Sequence, residues 1–109
     1  MQALLHIRPL ADQDIDRGFA YLHQENATQA LAFLDALETS FQQLLDNPEI
    51  GSPRYAAILP VDGLRFWRVG KFPWLIFYLV TESKIDVVRI LHGAQDIPQL
   101  LNLADVSFD

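Results

Sequence analysis

The spacing of the apolar residues changes once along the chain, and this change constrains the fold more than any other feature. Between Asn26 and Asn47 apolar side chains recur every three or four positions, as they do along one face of a helix. The members of this stripe are Ala30, Phe33, Leu34, Leu37, Phe41, Leu44 and Leu45. In residues 63–92 apolar side chains alternate or run continuously, which is typical of strands. Helices followed by strands predict an α+β fold.

A shorter helix is predicted before the long one. Ile15, Phe19 and Leu22 have helical spacing, and acidic residues stand near the start of this segment, where the helix dipole favours them. Asn26 followed by Gln29 resembles a capping box that begins the long helix. Because only a few residues separate the two helices, we expect an antiparallel helical hairpin.

Short apolar runs predict four strands and a final helix. Residues 3–8 form the first strand, which Pro9 ends. A loop rich in proline and glycine follows the helices at 48–60. Three further strands are predicted at 63–69, 74–80 and 84–92. Their connections are short, so they should form a three-stranded antiparallel meander in one sheet, with the helical hairpin on one face. Asp96 then caps a short C-terminal helix at 97–103.

Strict alternation is predicted in the last strand, at 84–92. It places Val87, Arg89 and Leu91 on one face of the sheet and Ile90 on the other. The chain has 109 residues, a length that suits a single hydrophobic core. We therefore expect one domain that spans residues 1–109.

The net charge of −6 is not spread evenly over the chain. Between Arg54 and Arg89 six basic and three acidic residues give +3, so the remainder carries −9. A basic segment on an acidic scaffold stays compatible with RNA or a DNA–enzyme complex as a partner. Cysteine is absent, which excludes disulfides and thiolate metal sites, and neither a metal site nor a cofactor is predicted. No stretch has the length of a membrane span and no signal peptide is recognisable, so we expect a cytoplasmic protein.

Several short segments, taken in order, resemble ParE-type toxins of the RelE/ParE superfamily. They are Gly-Leu-Arg at 63–65, Val69, Phe72, Ile-Phe-Tyr at 76–78, and Arg-Ile-Leu-His-Gly at 89–93 with Asp96. The similarity extends from about Leu5 to Leu101. It implies the toxin of a type II toxin–antitoxin pair, bound by a cognate antitoxin. ParE-type toxins inhibit DNA gyrase, whereas RelE-type toxins cleave messenger RNA in the ribosomal A site.

Two groups of contact residues follow from the residue types and the resemblance. The group expected to bind the target comprises Arg65, Arg68, Lys71, Arg89 and His92. The group expected to bind the antitoxin comprises Phe19, Phe41, Trp67 and Trp74. Trp and Arg are enriched at interface hot spots, and we expect one of the two tryptophans to be exposed. Two residues have a structural alternative: Arg65 would pair with Asp62 or Asp96, and His92 would form hydrogen bonds within its own turn.

The residues favour a non-enzymatic gyrase inhibitor over a nuclease. Cleavage of RNA needs positive charge at the phosphate, from Arg65 or Arg89, and a proton-transfer group, which would be His92. A dense basic run is missing, and Arg65 and Arg68 project from opposite faces of one strand. The alternatives are a ribosome-dependent messenger RNA endoribonuclease and an inactive relative that still binds antitoxin. The inactive relative is an alternative because Gln95 stands where ParE-type sequences commonly carry a basic residue.

Overall fold

Helices and strands follow one another in the predicted order in the part of the chain that the computed structural model describes, residues 4–57, 61–82 and 84–103. The elements are β1 (Leu4–Ile7), α1 (Pro9–Glu25), α2 (Ala27–Asp46), a 3-10 turn (Arg54–Ala57), β2 (Arg65–Arg68), β3 (Trp74–Thr81), β4 (Lys84–His92) and α3 (Ile97–Leu103). The predicted α+β fold is confirmed. Ala3, where the sequence begins the first strand, lies outside the described residues, as does Ser83 in the predicted turn before the last strand.

A single residue, Asn26, separates the two long helices. Its backbone N–H donates to the carbonyl of Leu22, which ends α1. Its side-chain oxygen accepts from the backbone N–H groups of Thr28 and Gln29, at 2.9 and 3.2 Å, which begins α2. One asparagine therefore caps both helices and fixes the tight reversal of the hairpin.

The four strands form one mixed sheet in the order β1-β4-β3-β2. β2, β3 and β4 are the predicted antiparallel meander. β1 pairs in parallel with β4, from Leu4 opposite Lys84 to Ile7 opposite Val87. A parallel neighbour needs a long crossover connection, which begins here with the helical hairpin. β1 pairs only with the first part of β4, and α1 lies beside the second part, where the Ile90 N–H donates to Asp14.

Apolar side chains cover both faces of the sheet. The larger cluster lies between the sheet and the helical hairpin, where Phe33, Leu37 and Leu44 pack on strand residues such as Ile76 and Tyr78. The smaller cluster lies on the opposite face. Its buried members are Leu64, Phe77, Val88, Leu91, Ile97 and Leu101. Because Ile97 and Leu101 belong to α3, the short helix closes the second face.

A β-bulge in β4 overturns the predicted strict alternation. Phe77 pairs with Arg89, whereas the next residue, Tyr78, pairs with Val87, so β4 contains one extra residue at Val88. Val87 therefore lies in the larger cluster and Leu91 in the smaller one. The prediction that these two residues share a face is wrong, because an inserted residue reverses the pattern that follows it.

A buried tyrosine attaches the segment after α2 to the sheet. The Tyr78 hydroxyl donates to the carbonyl of Pro48 at 2.8 Å and accepts from the N–H of Gly51 at 2.9 Å. A Cβ at Gly51 would collide with this hydroxyl and lie 2.8 Å from the carbonyl oxygen of Phe66. Only glycine fits this close approach, which gives a physical reason for the residue at position 51.

Replacing Tyr78 with phenylalanine should lower the free energy of unfolding by about 1–3 kcal/mol, because it leaves two buried backbone groups without a partner. It should also remove a pH dependence. Burial raises the pKa of the Tyr78 hydroxyl above its ordinary value, and the Gly51 hydrogen bond offsets this only in part. Above that ordinary value, about 10, the unfolded chain loses this proton first, so stability falls as the pH rises further.

Urea unfolding between pH 8 and 11 measures both effects. The Tyr78→Phe protein should lose less stability over this range than the original protein. Tyr21→Phe is the matched control, since Tyr21 is exposed and its hydroxyl has no hydrogen-bond partner among the described residues. Equal alkaline losses in the original and Tyr78→Phe proteins would contradict the assignment.

Candidate functional site

The residues predicted to bind a target lie in three separate places. Arg65 is on β2 next to the segment that follows α2, and Arg68 and Lys71 are at the turn between β2 and β3. Arg89 and His92 are on β4, near its end. Arg65 pairs with Tyr78 and Arg89 with Phe77, and these two aromatic residues belong to opposite clusters. Since cross-strand neighbours share a face, Arg65 and Arg89 start from opposite faces of the sheet.

The Arg65 guanidinium binds backbone rather than a carboxylate. Its Nη1 donates to the carbonyl oxygens of Glu49 and Gly51, at 3.1 and 2.7 Å. No ion pair joins it to Asp62 or Asp96 within residues 61–82 and 84–103, so the predicted carboxylate pairing is wrong. Those carbonyls come within reach because the Tyr78 anchor draws the same segment onto the sheet.

The turn between β2 and β3, residues 68–72, is positively charged and held by internal hydrogen bonds, and we term it the basic turn. Arg68 donates from Nε to the carbonyl of Phe72 and from Nη2 to that of Lys71, both at 2.9 Å. Gly70 has φ of +53°, a left-handed conformation that glycine adopts without strain. The Lys71 side chain is exposed and has no hydrogen-bond or ion-pair partner in the described part of the chain. The turn thus presents two positive charges on a fixed backbone.

The four aromatic residues predicted to bind an antitoxin differ in their environments. Trp67 is half-buried against the larger cluster, and its Nε1–H donates to Gln43 Oε1 at 2.9 Å, which joins β2 to α2. Phe41 is half-buried against the same cluster. Phe19 is half-buried and its ring lies 5.6 Å from that of His23. Trp74 is buried, with 6% exposure. The expectation that one of the two tryptophans is exposed is therefore wrong.

A buried ion pair connects α1 to the end of β4. Arg89 donates from Nε and Nη2 to the two carboxylate oxygens of Asp14, at 2.7 and 2.8 Å. Asp14 also accepts from the backbone N–H of Ile90 at 2.9 Å. Both side chains are less than 10% exposed, and the hydrogen bonds that Arg89 donates to Asp14 raise the pKa of Arg89 above its ordinary value. The positive charge of Arg89 is therefore neutralised by Asp14 within the fold.

His92 and Trp74 form one wall of a pocket of about 420 Å³ that opens between α1 and the end of β4. Their rings meet edge to face, with centroids 4.8 Å apart. The His92 Nδ1 accepts from the N–H of Ala94 at 3.0 Å, and its backbone N–H donates to Gln95 Oε1 at 2.8 Å. These contacts agree with the structural alternative for His92, since they hold its turn together.

The residues that α1 contributes to the pocket were missed in the sequence. They are Asp14, Arg17, Gly18 and Tyr21. Their spacing of three, four and seven residues defines one face of a helix, which is the signal that could have found them. The apolar stripe at Ile15 and Leu22 obscures it, because that stripe lies one position further along and predicts a different inward face.

No group of three or more His, Cys, Asp or Glu side chains in residues 4–57, 61–82 and 84–103 is placed to hold a metal ion. No helix in the same ranges has the length and apolarity needed to cross a membrane.

Comparisons with known proteins identify what this chain resembles. The family model described as the ParE toxin of type II toxin–antitoxin system, parDE, matches residues 5–97. A solved structure titled "Chromosomal ParDE TA system from P. aeruginosa" matches with a TM-score of 0.66 and 20% sequence identity, over 83% of this chain and 95% of that chain. At this identity the structural likeness bears on the fold alone. A search of the curated proteins found no match to the sequence.

Proposed function

This chain belongs to the ParE toxin family of type II toxin–antitoxin systems, and from this premise we propose that it inhibits DNA gyrase when free of its antitoxin. The family match over residues 5–97 is the observation that carries the proposal. Gyrase is a cytoplasmic enzyme, so we also propose that the chain acts in the cytoplasm, as one domain.

The engagement of the arginines supports inhibition by binding rather than by RNA cleavage. A nuclease of this type would need free positive charge beside the phosphate and a proton-transfer group within reach of it. Arg65 instead binds two backbone carbonyls, and Arg89 is paired with Asp14 on the other side of the sheet. The Nδ1 of His92 accepts a hydrogen bond from its own turn. Because these three side chains already bind groups within the fold, the non-enzymatic function is favoured over the endoribonuclease.

We assign the contact with the DNA–gyrase complex to the basic turn. Arg68 and Lys71 are exposed, and the two hydrogen bonds from Arg68 keep the turn in one conformation before any partner arrives. Charged side chains on a preorganised backbone lose less entropy on binding than those on a mobile loop. An anionic surface such as the DNA phosphate backbone would complement them.

We assign the antitoxin contact to the outer surface of the helical hairpin and the adjacent part of β2. Apolar side chains are exposed on this hairpin, including Leu10, Tyr21, Leu31 and Leu34. A partner segment that covers such residues gains the free energy of removing them from water. Phe19, Phe41 and Trp67, which are half-buried, would form the floor of the contact. Trp74 is buried and lines the pocket instead.

Controlled expression of the chain tests the proposed function in cells. Induction alone should stop growth and reduce negative supercoiling of a reporter plasmid, while messages stay full length. Coexpression of the cognate antitoxin should restore both growth and supercoiling. Codon-positioned cleavage of messages that His92→Ala abolishes would instead support the endoribonuclease. Normal growth together with copurification of the antitoxin would indicate the inactive relative.

A further inference from the structure

The pocket between α1 and β4 is lined by the indole N–H of Trp74, a hydrogen-bond donor with no acceptor among the described residues. The Nε1–H of Trp74 has no hydrogen-bond partner among the described residues, although the side chain is only 6% exposed. It lies 3.3 Å from the point where a Cβ on Gly18 would stand. No side-chain nitrogen or oxygen in the described ranges is both sealed from solvent and unpaired. The indole N–H therefore retains access to solvent, and the pocket that Trp74 and Gly18 line provides it.

Other side chains on the pocket wall are also donors without partners. Because His92 Nδ1 accepts from Ala94, the neutral imidazole carries its hydrogen on Nε2. The Gln95 side chain uses its oxygen to accept from His92, which leaves its NH2 group available. Arg17 is exposed and makes no hydrogen bond or ion pair within the part of the chain that the structure describes. The free polar groups on this wall thus point to a ligand that accepts hydrogen bonds.

The charge of the pocket has a definite sign. Asp14 accepts two hydrogen bonds from Arg89 and one from the Ile90 N–H, so its carboxylate is occupied. The charges of Asp14 and Arg89 cancel, and the remaining formal charge is the single positive charge of Arg17. An unpaired cation beside several neutral donors suits a ligand with one negative charge.

We propose that this pocket binds a carboxylate carried on an aromatic or aliphatic group. The single positive charge of Arg17 matches a monoanion better than a phosphate, which carries up to two negative charges at neutral pH. The apolar part of the ligand would contact the Trp74 ring, Tyr21, Ile90 and Leu100, which also line the pocket. Gly18 lets α1 pack closely on this wall, since a Cβ there would lie 3.1 Å from the Phe33 ring and 3.3 Å from the Trp74 nitrogen. This assignment does not depend on the target of the toxin.

The two tryptophans of the chain allow a direct test by NMR. Titration of the 15N-labelled chain with benzoate should shift the indole N–H resonance of Trp74, with a dissociation constant on the order of 1 mM. The Trp67 indole N–H is already bonded to Gln43, so its resonance is an internal control and should not move. Benzamide keeps the ring and shape of benzoate without the charge, and should shift Trp74 much less. Inorganic phosphate should behave as benzamide does.

Matched variants separate the pocket from general charge effects. Arg17→Gln should weaken benzoate binding about tenfold, since a hydrogen bond to a charged group is removed. Arg54→Gln removes an exposed arginine outside the pocket and should leave the affinity unchanged. An unmoved Trp74 resonance, equal shifts with benzamide, or equal losses in the two variants would overturn the proposal. A peptide that ends in a phenylalanine carboxylate tests where the bound carboxylate comes from. Tighter binding than benzoate indicates the C-terminus of a polypeptide, and weaker binding indicates a small free acid.

Discussion

Replacing Asp14 with alanine is expected to lower the free energy of unfolding by about 3–5 kcal/mol, because it leaves a buried guanidinium without its counter-charge. Asp14 is 5% and Arg89 7% exposed, and no other carboxylate pairs with Arg89 among the described residues. The substitution also leaves the Ile90 N–H without an acceptor. Because Asp14 joins α1 to the second half of β4, its loss should loosen the wall of the pocket as well. Urea unfolding followed by circular dichroism measures the change.

Two further variants of the chain test whether the uncompensated charge of Arg89 causes the loss of stability. Asp16→Ala removes the same charge from an exposed position on α1, where no hydrogen bond is lost, and should change stability little. Combining Asp14→Ala with Arg89→Met removes both charges and keeps a side chain of similar length on β4. This double variant should regain about 2 kcal/mol relative to Asp14→Ala. A double variant less stable than Asp14→Ala would show that Arg89 stabilises the fold by packing instead.

Reversing the charge of Lys71 is expected to weaken inhibition of gyrase at least about tenfold, because like charges brought together at an interface cost several kcal/mol. The Lys71 side chain has no partner among the described residues, and only its carbonyl oxygen takes part in the basic turn. Lys71→Glu should therefore fold as the original chain does. The concentration that halves supercoiling by purified gyrase measures the effect.

Arg54→Glu is the matched control for this charge reversal. Arg54 is also exposed, but it belongs to the 3-10 turn and lies outside the basic turn. The control changes the net charge by the same amount and should inhibit as the original chain does. If both variants inhibit gyrase equally well, the basic turn does not contact the target. If both lose activity equally, the effect is one of total charge rather than of a specific surface.

Local sequence patterns were sufficient to predict the order and type of the elements. The apolar stripe of α2 and the alternation in β2 depend on neighbouring residues, so they can be read without knowledge of the fold. The same is true of Asn26, whose side chain caps the helix that begins just after it. Helix α3 has the predicted bounds because Asp96 and Pro98 are local signals for a helix start.

Features that depend on contacts distant in sequence could not be predicted. The pair Asp14 and Arg89 is separated by 75 residues, and near a helix start an acidic residue usually has a simpler role in solvent. The bulge at Val88 changes the register of a single residue, which alternation alone cannot reveal. Arg65 was expected to find a carboxylate, but backbone carbonyls brought close by the Tyr78 anchor satisfy it. The pocket therefore became visible only in the folded chain.

Supercoiling of relaxed plasmid DNA by purified gyrase tests the central claim most directly. Addition of the folded chain at concentrations near that of gyrase should abolish the supercoiled product. Prior mixing with the cognate antitoxin should restore it, and Lys71→Glu should require more protein for the same effect. Full supercoiling in the presence of a molar excess of the folded, antitoxin-free chain would contradict the proposal that gyrase is its target.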